Sequence, residues 1–173
     1  MSLLDRVACF LADRAVPHAL IGALALAVHG ISRSTRDEDL LVVDARVLNE
    51  QFWQPLGSEA EIRITQGDPA DPLAGVARLR RENENQVDVV VGRHRWQQEV
   101  LSRAVPVADG PLRVVRVEDL ILLKLFAGGS QDKWDIEQLL GVHTDAGMLA
   151  AVDERIGTLP QRSRDMWVTL RPK

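Results

Sequence analysis

Two aspartates separated by one residue, Asp37 and Asp39, lead into the apolar run Leu40-Leu41-Val42-Val43. Side chains two apart in a strand face the same side, with Cα atoms about 6.6 Å apart. Carboxylates so placed repel one another unless something positive sits between them. Their hard oxygen atoms suit Mg²⁺ or Mn²⁺. Two such ions, about 3.5–4 Å apart, can hold the attacking and leaving oxygens of a phosphoryl or nucleotidyl transfer. A D-x-D is also common as a plain acidic turn ahead of a strand, and that reading stands beside the metal reading. Two neighbours weigh toward chemistry. Upstream, Gly22 breaks the chain between a short apolar strand and a short helix, where backbone N–H groups can hold phosphate. Downstream, Asp88 is the lone charge in Gln86-Val-Asp-Val-Val-Val91. An acid in so apolar a strand is costly unless it is paired or bound to a metal. Asp88 is therefore either a third metal ligand that also accepts a proton from an attacking hydroxyl, or the partner of Arg78 or Arg80 across a hairpin.

Other polar residues carry paired readings. Lys124 lies inside Leu120-Ile-Leu-Leu-Lys-Leu-Phe126. It is either aimed at nucleotide phosphates or a surface lysine whose stem covers an apolar face. Asp132 reads as an acid at a helix N-terminus or as a residue that positions Lys124. Arg33 and Arg36 flank the acidic pair, either solvated or neutralising a triphosphate. His29 has no second metal-type residue close by and reads as structural, at the end of the short helix. Arg78, Arg80, Arg81, Arg93 and Arg95 read as a solvated face, and mark where a nucleic-acid acceptor would touch.

The elements that must position these residues follow from hydrophobic spacing. The 173 residues, 46% hydrophobic and 27% charged, suffice for one globular domain with a core. A net charge of −4 argues against a general nucleic-acid coat. The single cysteine, Cys9, excludes an internal disulfide and a Cys-based zinc site. No apolar run approaches the roughly 20 residues of a membrane span, and no signal-peptide pattern opens the chain, so a cytoplasmic protein without membrane contact is expected. Helices are expected over Ser2–Ala15, Ala23–His29, Ala45–Phe52 and Trp96–Ser102. Strands are expected over His18–Ile21, Glu38–Val43 and Glu61–Gln66. Val76–Arg81 and Gln86–Val91 form a hairpin, and Asp109–Gly110–Pro111 turns the chain between two further short strands. Beyond Val117 the pattern is helical: Glu118–Ala127, Gln131–Leu140 and Asp145–Ile156. Two parts are expected, an α/β core over 1–116 and a helical C-terminal subdomain over 117–173 packed on it.

With these residues in place, the chain resembles the nucleotidyltransferase superfamily of DNA polymerase β. The resemblance rests on Gly22, the helix after it, His29–Gly30, Arg33, Thr35, Asp37, Asp39 and the lone Asp88. The later run Val117-Glu-Asp-Leu-Ile-Leu-Leu-Lys124, with Asp132 and Asp135-Ile136, is similar to the helical region of the minimal bacterial AbiEii-like and MNT-like members. The resemblance implies an α+β fold, a mixed β-sheet flanked by helices with a helical C-terminal part. It implies that Asp37, Asp39 and Asp88 are catalytic and hold Mg²⁺ or Mn²⁺, two ions in all. Gly22, Ala23, Arg33, Thr35 and Lys124 would bind nucleotide. Three positions depart from the family pattern. Ala23 stands where glycine or serine is usual, and Gly129 and Gln131 stand where an arginine and a lysine are often found.

The expected activity is transfer of NMP from an NTP to an acceptor hydroxyl, with release of pyrophosphate. The acceptor is left open among tRNA, a protein and a small molecule, with a toxin–antitoxin role and an antitoxin partner as one setting. A small aminoglycoside-type nucleotidyltransferase is the alternative enzyme. A catalytically degenerate binding or regulatory module is the alternative outside catalysis, supported by the three departures.

Overall fold

In the computed structural model, residues 1–35, 37–69, 71–107 and 110–172 are described. Arg36 and Asp109, which figure in the sequence reading, lie outside them. Ser2 starts the first helix, α1 (Leu3–Asp13), through a capping box with Asp5. The apolar face of α1 lies in the core, and Cys9 is half-buried along it. The chain then enters β1 (His18–Leu20), turns at Gly22 into the short α2 (Gly22–Val28), and returns as β2 (Asp37–Val42).

The segment expected as one helix over 45–52 is divided. Asp44 accepts from Arg46 N–H and starts a 3₁₀ turn, Ala45–Leu48; Asn49 accepts from Gln51 N–H and starts α3 (Glu50–Trp53). Two side-chain caps five residues apart in so short a stretch leave no room for a continuous helix. Strands β3 (Glu61–Gln66), β4 (Leu73–Arg80) and β5 (Gln86–Gly92) follow as a meander, then α4 (Arg95–Arg103), β6 (Val105–Pro106) and β7 (Arg113–Val114). The remainder is helical: α5 (Val117–Ala127), α6 (Ser130–Val142), α7 (Ala146–Arg155) and α8 (Gln161–Leu170).

The seven strands form one mixed sheet in the order β3-β4-β5-β2-β1-β7-β6. β2 pairs parallel with β5, and β1 parallel with β7; the other pairings are antiparallel. The centre of the sheet is valine- and leucine-rich, as strands covered on both faces require. α5 is apolar nearly all round and runs through the core, which includes side chains from α1, the sheet and α5–α8. Its one fully buried acid, Asp119, receives two hydrogen bonds from Arg103 of α4, at 2.7 and 3.0 Å. Among the described residues no helix is long and apolar enough to cross a membrane.

Candidate active site

Asp37 and Asp39 occupy alternate positions of β2, and Asp88 lies beside Asp39 on β5. The parallel register pairs Asp37 with Gln86 and Asp39 with Asp88, so all four side chains share one face of the sheet. Gln86 spans the group: its Nε2 donates to Asp88 Oδ1 at 2.8 Å and to Asp37 Oδ1 at 3.3 Å. The hairpin partner of Asp88 is Arg78, directly opposite on β4. Its Nε and Nη2 donate to the two carboxylate oxygens at 3.1 and 3.0 Å. Arg80 instead donates to Gln86 Oε1 at 2.6 Å. Of the two readings of Asp88, the contacts show the partner of Arg78, and this arginine-held acid lies adjacent to Asp39.

Asp39 carries the least favourable charge of the site. Burial, then Asp88, then Asp37 push its carboxyl up to about 6, while Lys124 and Arg33 pull it back. Gly22 is the reason α2 can begin against this carboxylate. Its φ is +62°, and a Cβ there would stand 2.1 Å from Asp39 Oδ2. The Ile21 N–H donates to the Asp39 carbonyl at 3.0 Å, which ties the start of α2 to β2. Ala23 is buried, so its methyl belongs to the core. Thr35 shapes the entry to β2: its hydroxyl donates to the Asp37 carbonyl at 3.0 Å and accepts the Asp37 N–H at 3.1 Å.

Lys124 is buried rather than lying along the surface. Its Nζ is 2.5 Å from Asp135 Oδ2 and 3.5 Å from Asp132 Oδ1. Arg33 Nη1 lies 3.6 Å from the same Asp135 oxygen, and Gln131 Nε2 donates to the other at 3.2 Å. Asp132 serves both of its sequence readings, since its second oxygen accepts the Gly129 N–H at the start of α6. The cations nearest Asp39 are thus held by acids of α6. His29 caps the end of α2, with Nε2 2.8 Å from the Val115 carbonyl, and His143 Nε2 meets the His29 carbonyl at 2.9 Å. Both contacts fit a structural histidine.

The arginines that would touch a nucleic acid are engaged within the chain. Arg81 binds Glu84 and the Met1 carbonyl, Arg95 lies 3.6 Å from Glu99, and Arg93 donates to three carbonyls of residues 68–73. Sequence reasoning missed Gln86 and gave Asp135 no role. Gln86 was readable, because it precedes Asp88 by two in the same strand and must share its face. Asp135 was not, because its partner Lys124 lies across a turn between two helices.

A metal ion would find hard oxygen donors here. Among the described residues no three His, Cys, Asp or Glu side chains stand close enough together, as placed, to hold one ion. Asp37 and Asp39 have the donor type for Mg²⁺, and a cation would offset the burial and the neighbouring acids that raise Asp39. Asp88 has its charge already met by Arg78.

No protein-family model matches the chain, and no curated protein matches it in sequence. Solved structures do match in shape. An antigenic nucleotidyltransferase-like protein from Paracoccidioides brasiliensis superposes with a TM-score of 0.52 at 18% identity, over 95% of this chain and 90% of that one. The antibiotic-resistance factor ANT(2'')-Ia, solved with adenylyl-2''-tobramycin, gives 0.51 at 14% identity, over 98% and 95%. The lincosamide adenylyltransferase LnuA, solved with lincomycin, gives 0.52 at 15% identity, over 81% and 96%. The chain has the nucleotidyltransferase fold, and its acidic cluster lies on the face of the sheet that α2 and α5 approach.

Proposed function

We propose that the chain is a metal-dependent nucleotidyltransferase that moves NMP from an NTP to an acceptor hydroxyl and releases pyrophosphate. The observation that carries this reading is the in-register trio of Asp37, Asp39 and Asp88 beside the Gly22 turn. Asp37 and Asp39 would hold Mg²⁺, which when bound screens the charge of the triphosphate and of the transition state. The backbone N–H groups of Gly22 and Ala23 take phosphate oxygens. Lys124 and Arg33 supply positive charge to the same region, positioned by Asp135 and Asp132. Asp88, oriented by Arg78 and Gln86, takes the proton of the attacking hydroxyl. The new oxygen–phosphorus bond forms at the α-phosphate as the bond to pyrophosphate breaks, and the pyrophosphate leaves with its electron pair.

Labelled NTPs, Mg²⁺ and cell extract test the reading. Release of pyrophosphate with label on an acceptor, lost in Asp39→Asn, is the expected result. A second reading, a binding module without catalysis, draws on Lys124 and Arg33 being occupied by Asp135. It predicts no pyrophosphate, and no rise in melting temperature with NTP whether Mg²⁺ is present or absent. That outcome would overturn the enzyme.

A further inference from the structure

The face that carries the acids continues beyond them as arginines. β4 places Arg80 opposite Gln86 and Arg78 opposite Asp88, and β3 places Arg63 opposite Arg78. Neighbouring strands lie about 4.8 Å apart, so the three guanidinium groups begin one strand away from Asp88. Arg63 and Arg78 face each other directly, an arrangement that costs stability because like charges repel. Glu61 and Asp88 offset part of that cost, yet the Arg63 and Arg78 side chains stay 68% and 43% exposed.

Arg80 is the freest of the three. Its Nε donates to Gln86 Oε1 at 2.6 Å, and its Nη1 and Nη2 have no partner among the described residues. Glu61 lies directly opposite it on β3 but pairs with Arg63 instead, at 2.7 Å. Arg80 is exposed and lines a hollow of about 390 Å³ together with Asp37, Arg81, Glu84, Asn85 and Gln86. That volume is the size of a small-molecule site. Its acids are already committed. Glu84 accepts from Arg81 and from the Leu3 N–H, and Asp37 is a metal ligand in the reading above. Arg80 therefore brings an unmatched positive charge to the edge of the acidic cluster. Arg63 is its diagonal neighbour, about 7–8 Å away at Cα, a gap that one phosphate can bridge.

We propose that this row is the acceptor subsite, and that the acceptor is a small hydroxyl compound carrying a phosphate, held by Arg80 and Arg63. The proposal rests on the nucleotidyl transfer argued above. The attacking and leaving oxygens of such a transfer lie roughly in line. The Gly22 turn, which takes triphosphate oxygens in that reading, follows β1 on the far side of β2 from β5. The hydroxyl then arrives from the β5 and β4 side, past Arg80. Guanidinium groups match phosphate oxygens two at a time. A polycationic acceptor would be repelled on this approach. A nucleic-acid strand would need aromatic side chains to stack its bases, and β3, β4 and β5 contain none.

Glycerol 3-phosphate and glycerol are the probes, read by ligand-observed proton NMR in Mg²⁺. α,β-Methylene-ATP is present throughout, since it fills the nucleotide site and cannot be cleaved between its α- and β-phosphates. Glycerol 3-phosphate binds and glycerol does not. Arg80→Gln weakens glycerol 3-phosphate about tenfold and Arg63→Gln by a smaller factor, while Arg95→Gln, at an exposed arginine of α4, changes nothing. Arg80 and Arg63 are exposed, so both variants keep their fold and their affinity for the analogue. Absence of glycerol 3-phosphate binding, equal binding of glycerol, or full binding to Arg80→Gln overturns the proposal. Displacement of glycerol 3-phosphate by the analogue also overturns it, by giving the phosphate to the triphosphate site. Tighter binding of tobramycin than of glycerol 3-phosphate does the same. A uridine trinucleotide that binds tenfold tighter than glycerol 3-phosphate, and loses that advantage in Arg80→Gln, gives the row to an RNA end and overturns the small-molecule acceptor. Arg80-dependent binding of glycerol 3-phosphate in a chain that releases no pyrophosphate overturns the transfer reading instead, and with it the label of acceptor.

Discussion

Burial and two neighbouring acids oppose the charge on Asp39, and Lys124 and Arg33 offset them only in part. The folded chain therefore binds a proton at Asp39 more tightly than the unfolded chain does. For an acid raised in this way, the stabilising contribution is complete below the unfolded value of 3.8 and is lost as pH rises through about 6. The difference corresponds to about 3 kcal/mol at neutral pH. Asp39→Asn removes the charge at nearly constant volume. It is expected to abolish transfer and, in excess EDTA at pH 7.5, to raise unfolding free energy by up to about 3 kcal/mol, with little change at pH 4. Urea denaturation at the two pH values measures this. A large loss of stability at pH 7.5 would mean instead that Asp39 is held by a cation and is structural. Lys124 has the opposite character. Treated as a partly exposed lysine it would be cheap to truncate, but its Nζ is enclosed with Asp135, itself buried. Lys124→Ala leaves that carboxylate without its ammonium and is expected to cost about 3–5 kcal/mol. Pairing it with Asp135→Asn should restore most of the loss in the same denaturation experiment.

At the scale of elements, the site depends on where α2 starts. Gly22 has a left-handed backbone and no room for a Cβ, because the Asp39 carboxylate occupies that space. Gly22→Ala must move either the turn or the carboxylate. Strain at this φ alone is worth about 1–3 kcal/mol. The variant is expected to melt at lower temperature and to lose the Mg²⁺-dependent stabilisation by NTP; an unchanged response to NTP would separate Gly22 from nucleotide. The elements that carry the acids were the most legible in the chain. Val87, Val89 and Val91 alternate with Gln86 and Asp88, so strand and face could both be read from period two. The loop from 45 to 56 was not legible as built, because its breaks come from Asp44 and Asn49 bonding locally to their own backbone. α8 was also hard to read: only Ser163 and Trp167 of its ten residues are buried, so its pattern is too sparse for a helical period to stand out. An apolar cavity floored by Leu41, Val76 and Val90 was invisible for a different reason. Leu41, Val76 and Val90 come from three strands, and only the register of the sheet makes them one floor.

Across the whole molecule, two histidines set a pH response that runs against that of Asp39. His18 and His29 are both held below the ordinary 6.5, burial being the larger cause in each case. For a histidine lowered in the fold, the stabilising contribution is complete above 6.5 and is lost as pH falls below it. His29 sits where the end of α2, the carbonyl of Val115 ahead of α5, and His143 at the end of α6 meet. Protonation leaves its bond to the Val115 carbonyl in place, and the cost comes first from burying the charge and then from His143. Between pH 6.5 and 4 the wild-type chain gains from Asp39 while it loses from the histidines, so the two responses oppose each other. Asp39→Asn removes the compensating arm. Its stability is expected to fall steadily below pH 6.5, with a slope clearly steeper than wild type in melting temperature against pH. Parallel slopes would show that the two groups do not oppose one another.

The pairing of β2 with β5 also has a bearing on time. Asp37 and Gln86 touch across 49 residues of chain, and the strands between them must first be laid down as a meander. Parallel contacts of such separation come late, because the loop they close is long and its entropy is lost before the contact returns anything. On the ribosome, the acids of β2 emerge well before their partner on β5 exists. The acidic trio can form only once β5 has been made. The acidic face thus closes before the sheet does, because β6 and β7 follow β5 in the chain.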